Sequence, residues 1–201
     1  RQRQMCIRDR YQTLVERMAD AVRQMLENAG MTLEQCGGIG IGSPGTIDAK
    51  QGVILYSNNF GWENVPIVEE LKKHLDTRIE IANDADAAAL GEVCAGAAEG
   101  AENAVLLTLG TGVGSGVILD KKIFRGAMPG GCELGHLSIR YDGIRCTCGR
   151  KGCLEAYASA SALLRIAREK AAEHPESVMN EMCGNDLEQI CLLYTSDAAD
   201  D

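Results

Sequence analysis

Apolar positions recur at helical spacing from Tyr11 through Leu14, Val15, Met18, Val22, Met25 and Leu26 to Ala29, and Gly30 is placed to stop that helix. A second helix follows Pro66, with Ile67, Val68, Leu71 and Leu75 on its apolar side. Between them, Cys36–Gly42 reads as a short buried strand running into the turn Ser43-Pro44-Gly45, and Val53–Tyr56 as another strand. Arg78–Ala82 alternates with period two and leads through Asn83-Asp84 into an Ala-rich helix over Ala85–Ala98. Ala104–Leu109 and Gly116–Leu119 are two further strands around a Gly/Thr turn. Ser159 or Ser161 caps a last helix reaching about Glu173, with Leu163, Leu164 and Ile166 buried and Pro175 beyond its end. Strands alternating with helices predict an α/β fold. Polar Glu99–Glu102 is the expected boundary between a lobe over 11–103 and one over 104–190.

Composition narrows the function. The chain is 45% hydrophobic, enough for a sizeable core, and carries a formal net charge of −9. That balance argues against a nucleic-acid surface. No apolar run approaches a membrane span and no secretory segment appears. Nine cysteines with no sign of export fit a reducing cytoplasm and metal-bound thiols.

Four segments carry candidate chemistry. In Gly131–Glu155, Cys146, Cys148 and Cys153 with His136 make three thiols and an imidazole, the ligand count of a structural zinc site. Gly143, Gly149 and Gly152 allow that loop to fold round an ion. The turn Gly110-Thr111-Gly112-Val113-Gly114-Ser115 offers backbone N–H groups to phosphate. Lacking Gly-Lys-Ser/Thr it is no P-loop, and a following strand argues against a dinucleotide fold; a plain glycine hairpin is the other reading. Asp84 stands at a strand's C-terminal edge, where α/β ligands gather, and is equally suited to capping the next helix. Asn58 and Asn59 suit a polyol or simply a turn. His74 and His174 read as surface residues.

The run G-x-E-x-G-H, then C-x-C-G-x-x-G-C-x-E, resembles the zinc signature of the ROK family (repressor, open reading frame, kinase). N-D-A-D-A-A-A-L-G-E resembles its catalytic segment, with Asp86 in place of the more usual Asn, and S-N-x-x-G-W its glucokinase-like members. The resemblance covers most of Cys36–Glu155. It implies a two-lobed ribonuclease-H-like fold of the actin/hexokinase type, with a hexose between the lobes. It further implies an ATP-dependent hexose kinase, most readily of glucose. Asp84 would be the base. Asn58, Asn83, Glu133, His136 and Glu155 would hold the sugar. Gly110, Thr111, Gly112 and Gly114 would bind ATP phosphates, with Mg²⁺ offsetting their charge. Zn²⁺ on His136, Cys146, Cys148 and Cys153 would be structural, with the second ring nitrogen of His136 turned to a sugar hydroxyl. Family members commonly form homodimers. The rivals are a kinase for another hexose, such as fructose or N-acetylmannosamine, and a sugar-responsive repressor whose DNA-binding domain lies upstream.

The two ends read as foreign. Back-translations of MCIRDR and CLLYTS are reverse complements over their shared length and match a transposase adapter used in sequencing libraries. Arg1–Arg10 and Cys191–Asp201 are therefore expected to be translated adapter around a sequence cut at both ends. A family Asp-x-Gly-Gly-Thr phosphate segment would precede it, and an adenosine-holding helical region would follow.

Overall fold

The computed structural model describes residues 11–128, 130, 132–178 and 180 of the chain. The two expected adapter segments lie outside them. The described residues fall into two compact units. One takes those up to Leu106 together with Gly116–Cys132; the other takes Leu107–Ser115 and those from Glu133 onward. Residues 99–102 belong to the first unit.

In the first unit, α1 (Tyr11–Asn28) buries Val15 and Ala19 and ends where Gly30 takes φ 63°, with Gly30 N–H on the Glu27 carbonyl and Met31 N–H on that of Leu26. This paired closure satisfies carbonyls the helix leaves open. Its apolar stripe is shorter than the periodicity predicts: Met25 is 63% exposed. β1 (Ile39–Ser43) pairs in parallel with β5 (Ile79–Asn83), in the register Ser43↔Asn83. Three strands that follow β1 make an antiparallel sheet: β2 (Thr46–Asp48), β3 (Val53–Ser57) and β4 (Trp62–Val65). α2 (Ile67–Lys72) closes it, with Pro66 at its N-cap. One core joins these pieces, from Val15 and Ala19 through Ile47, Ile54 and Trp62 to Leu71, Leu75 and Ile81. Trp62 is a packing residue, stacked on Phe60 at 4.6 Å and edge-on to Tyr11.

α3 (Asp84–Ala95) leaves β5 directly. Its Ala89 and Val93 form a second core with Ile118 of β7 (Val113–Leu119). One glycine permits close approach: a Cβ on Gly116 would strike the Ala85 carbonyl at 2.5 Å, whereas one on Gly42 would make only ordinary contact with Asp84 Cα at 3.6 Å. β6 (Ala104–Leu109), β7 and β8 (Lys122–Ile123) form a sheet in that order. β8 was not foreseen. Its hairpin turns on Asp120 and Lys121, both at positive φ, the geometry Asn-Gly or Asp-Gly usually supplies. Here Asn103 Oδ1 accepts the Asp120 N–H and the Glu102 carbonyl accepts that of Lys121, at 3.1 and 2.8 Å.

In the second unit, a 3₁₀ turn (Leu134–His136), a bridged hairpin, α4 (Glu155–Ala158) and α5 (Ala160–Glu173) follow one another. Ser159 is the cap of α5: its side chain accepts the Ala162 N–H at 3.1 Å, which decides between the two serines. Among the described residues no helix is long and apolar enough to cross a membrane.

Gly45 tests how the first unit is built. It sits at φ 110°, and a Cβ there would overlap the Tyr56 carbonyl. Gly45→Ala is expected to cost about 2 kcal/mol or more, read as a lowered midpoint in thermal unfolding. An unchanged midpoint would show that the turn relaxes freely.

Candidate functional site

The first unit gathers three sequence-predicted residues at one strand end. The parallel register of β1 and β5 sets the turn Ser43–Gly45 beside Asn83-Asp84. Asn83 then makes three backbone bonds. Its Oδ1 accepts the N–H groups of Ala85 and Asp86 at 2.9 and 3.3 Å, and its Nδ2 donates to the Gly45 carbonyl at 3.1 Å. Asn83 is thus the N-cap of α3, and Asp84 is not required for it. Asp84 is exposed at the first turn, one oxygen accepting the Ala85 N–H at 3.0 Å. Gly45 lies against Tyr56 and Ser57, so Asn58 joins the cluster; it is exposed, and its Oδ1 accepts the Tyr56 hydroxyl at 3.4 Å.

Asp86, singled out as a departure from the usual pattern, is buried and accepts Arg125 Nε at 3.3 Å. Burial pushes its carboxyl above the ordinary carboxylate range, Arg125 opposes that, and the charge of Asp84 adds to it. Arg125 had no signal in the sequence, because only the fold brings the residues after β8 to α3.

The second unit holds the candidate metal centre. The ligand atoms of His136, Cys146, Cys148 and Cys153 all lie within 4.8 Å of one another. Cys148 and Cys153 sulfurs are 3.6 Å apart, and the Cys146 sulfur is 3.7 Å from His136 Nδ1. A tetrahedron with zinc–sulfur bonds of about 2.3 Å has sulfur–sulfur edges of about 3.8 Å, so three thiols and an imidazole at this spacing fit zinc. The loop's backbone supports them. Ser138↔Cys153 and Arg145↔Lys151 bridge it as a hairpin. Gly152 at φ 73° has no room for a Cβ beside the Arg140 carbonyl, and Gly149 turns at φ 90°. Gly143 does not need a positive φ; it is small because the Tyr157 hydroxyl, which accepts the Ile144 N–H at 2.9 Å, lies against it.

The thiols differ. Burial first, then the neighbouring thiols, pushes Cys153 up to about 12. The backbone N–H of Arg150 holds Cys148, which is exposed, below the usual thiol value, with nearby thiols adding to the effect.

The Gly/Thr turn lies in the same unit. Gly110 N–H bonds the Gly112 carbonyl at 2.9 Å, and the Gly110 carbonyl accepts the Ala160 N–H of α5 at 2.8 Å. Thr111 is exposed, and its carbonyl accepts the Ser161 hydroxyl at 2.8 Å. Ser115, standing where a third loop glycine would be, accepts the Leu134 N–H at 2.8 Å and so fixes the 3₁₀ turn that carries His136. A Cβ on Gly135 would overlap the Val113 carbonyl. Glu133 is the exposed N-cap position of that turn. Glu155 Oε2 accepts the Val113 N–H at 3.0 Å.

A model of the ROK family matches residues 1–193. The chain is 38% identical over 173 residues to a glucokinase of Thermotoga maritima, covering 86% of this chain and 53% of that one. It is 36% identical over 156 residues to a xylose repressor of Caldicellulosiruptor bescii, covering 78% and 39%. In structure it is similar to a ROK family glucokinase from Streptomyces griseus in complex with glucose and AMPPNP: TM-score 0.67, 33% identity, 86% of this chain and 56% of that one. The chain thus spans about half the length of the curated relatives it matches.

Two outcomes are expected at these sites. Purified chain carries about one zinc per molecule, and its affinity rises with pH, because zinc displaces protons from thiols of which Cys153 holds its own to about 12. Stability due to metal is therefore present at neutral pH and lost on acidification; equal zinc retention at pH 5 and 8 would contradict this. For Asp86 the sign is opposite. Folded, it keeps its proton to higher pH than when unfolded, so it favours the fold in acid and loses that contribution as pH rises. Asp86→Asn should therefore gain about 1–3 °C in melting midpoint on wild type at pH 7 compared with pH 4.

Proposed function

The chain belongs to the ROK family, and from that premise we propose that it is the core of an ATP-dependent hexose kinase, acting on glucose. One observation carries the reading above others: Asn83 caps α3 and clasps Gly45, which leaves Asp84 exposed at the strand end, its bond to the Ala85 N–H duplicating one that Asn83 already makes. In this role Asp84 accepts the proton of the hexose hydroxyl as its oxygen attacks the γ-phosphoryl group. On the family resemblance, Asn58, Asn83, Glu133, His136 and Glu155 are assigned as donors and acceptors for the other hydroxyls. His136 turns Nδ1 toward Cys146, so Nε2 is the nitrogen assigned to sugar. Within the turn, the N–H groups of Gly110 and Val113 already serve the protein, so contact with ATP phosphates is assigned to Thr111 and the Gly112 and Gly114 backbone. Mg²⁺, when bound with ATP, offsets phosphate charge. Zinc, when bound, holds the loop bearing His136 and Glu155 rigid and takes no part in the transfer.

The complex of the Streptomyces griseus relative with glucose and AMPPNP supports both the sugar and the nucleotide. The xylose repressor supports a second reading, a sugar-responsive regulator in which the same residues bind sugar without turnover. A coupled assay of the full-length protein across hexoses separates them. Asp84→Asn should lower turnover about 10²–10⁴-fold while sugar affinity stays within a few-fold of wild type. Wild-type turnover in that variant would remove Asp84 from the role, and sugar binding with no turnover in the unaltered protein would favour the regulator.

A further inference from the structure

We infer that Glu155 is a positioning residue that couples the metal loop to the Gly110–Gly114 turn, so that the order of the turn depends on whether the loop is held by metal. Glu155 stands two residues past Cys153 and is half-buried. Its two oxygens face different segments. Oε2 accepts the Val113 N–H at 3.0 Å. Oε1 accepts the Thr147 hydroxyl at 3.2 Å, and the Cys146 sulfur lies 3.7 Å from it. Thr147 sits between two of the metal-ligating thiols, so its position is set by the loop's closure. The carboxylate lies close against the turn: a Cβ on Gly112 would meet Glu155 Oε2 at 2.5 Å, so a larger residue there would displace the carboxylate.

The other contacts to the turn come from elsewhere. α5 holds the Gly110 and Thr111 carbonyls through Ala160 and Ser161. Ser115 holds Leu134, in the 3₁₀ turn that carries His136. Val113 N–H is the point at which the segment carrying the three thiols grips the turn. A carboxylate bonded to a backbone N–H is a charge-assisted contact, stronger than a neutral one. Each carboxylate oxygen has a second lone pair, so this contact is compatible with a sugar hydroxyl donating to the same group. Its consequence, that nucleotide binding senses the metal, rests on the kinase reading; the contact itself does not.

Amide hydrogen exchange at Val113 in the zinc-loaded chain tests the link. Glu155→Ala is expected to speed it about tenfold or more, with zinc content unchanged, as loss of one charge-assisted bond requires. Glu155→Gln should stay within about threefold of wild type, because its amide oxygen still accepts from Val113. Removing zinc from wild type with a chelator should speed Val113 as Glu155→Ala does, while Ile118 in β7 keeps its protection. Unchanged Val113 exchange in Glu155→Ala, or after chelation, overturns the inference. So does loss of zinc from Glu155→Ala, which would make the carboxylate part of the metal loop's own folding. ATP titration of the full-length protein separates this from the function: exchange that responds as expected where the full-length protein never binds ATP sinks the kinase and leaves the link standing.

Discussion

A single amide side chain organises the first unit. Asn83 ends β5, starts α3 and ties the turn after β1, using one oxygen for two helical N–H groups and its NH₂ for the Gly45 carbonyl. Helix starts and tight turns leave such groups in need of partners, and of the three only the Ala85 N–H has a second one, Asp84 Oδ1, among the described contacts. Aspartate in its place could cap the helix but could not donate to Gly45. The division of labour between neighbours follows from this: the amide builds the corner and the carboxylate next to it stays in reach of solvent.

The second unit is organised round a loop whose ligands converge before any ion is considered. Two bridges, a glycine at φ 73° and the Tyr157 hydroxyl set the hairpin, and four donor atoms come within 4.8 Å. Burying Cys153 and setting two other thiols beside it makes its ionisation costly, first through burial and then through those neighbours. A divalent ion relieves that cost, and its binding energy becomes folding energy for the loop. The Gly/Thr turn, Ser115 and Glu155 then borrow this rigidity, since each is bonded to the loop or to the 3₁₀ turn before it.

Much of this was legible without coordinates. The candidate metal cluster could be read because its chemistry is rare and its spacing short. α1 could be read from its periodicity and Gly30, and α5 from its serine cap, though Ala162, Ala167 and Ala171 rather than Ile166 form its buried side. α3 was legible as an alanine run, but it ends at Ala95 rather than Ala98 and is capped by Asn83. Other features were hidden for definite reasons. β2 and β4 are three and four residues long, too short for alternation to register. β8 turns on Asp-Lys, a left-handed pair that no turn preference announces and that Asn103 and Glu102 sustain from outside the hairpin. Arg125 and Asp86 are 39 residues apart, and only the packing of the residues after β8 on α3 makes them a pair.

Sequence by itself determined which side chains are candidates for chemistry: the thiols, the imidazole, the Asn-Asp pair and the glycine turn, because local spacing and residue type limit what each can do. Tertiary structure decided which of them work on one another. It gave the cap to Asn83 and left Asp84 exposed, chose Ser159 over Ser161, and set Glu155 between Val113 and Thr147. The reason is that a hydrogen bond needs two groups within about 3 Å, and outside a helix or a tight turn only the folded chain brings them there.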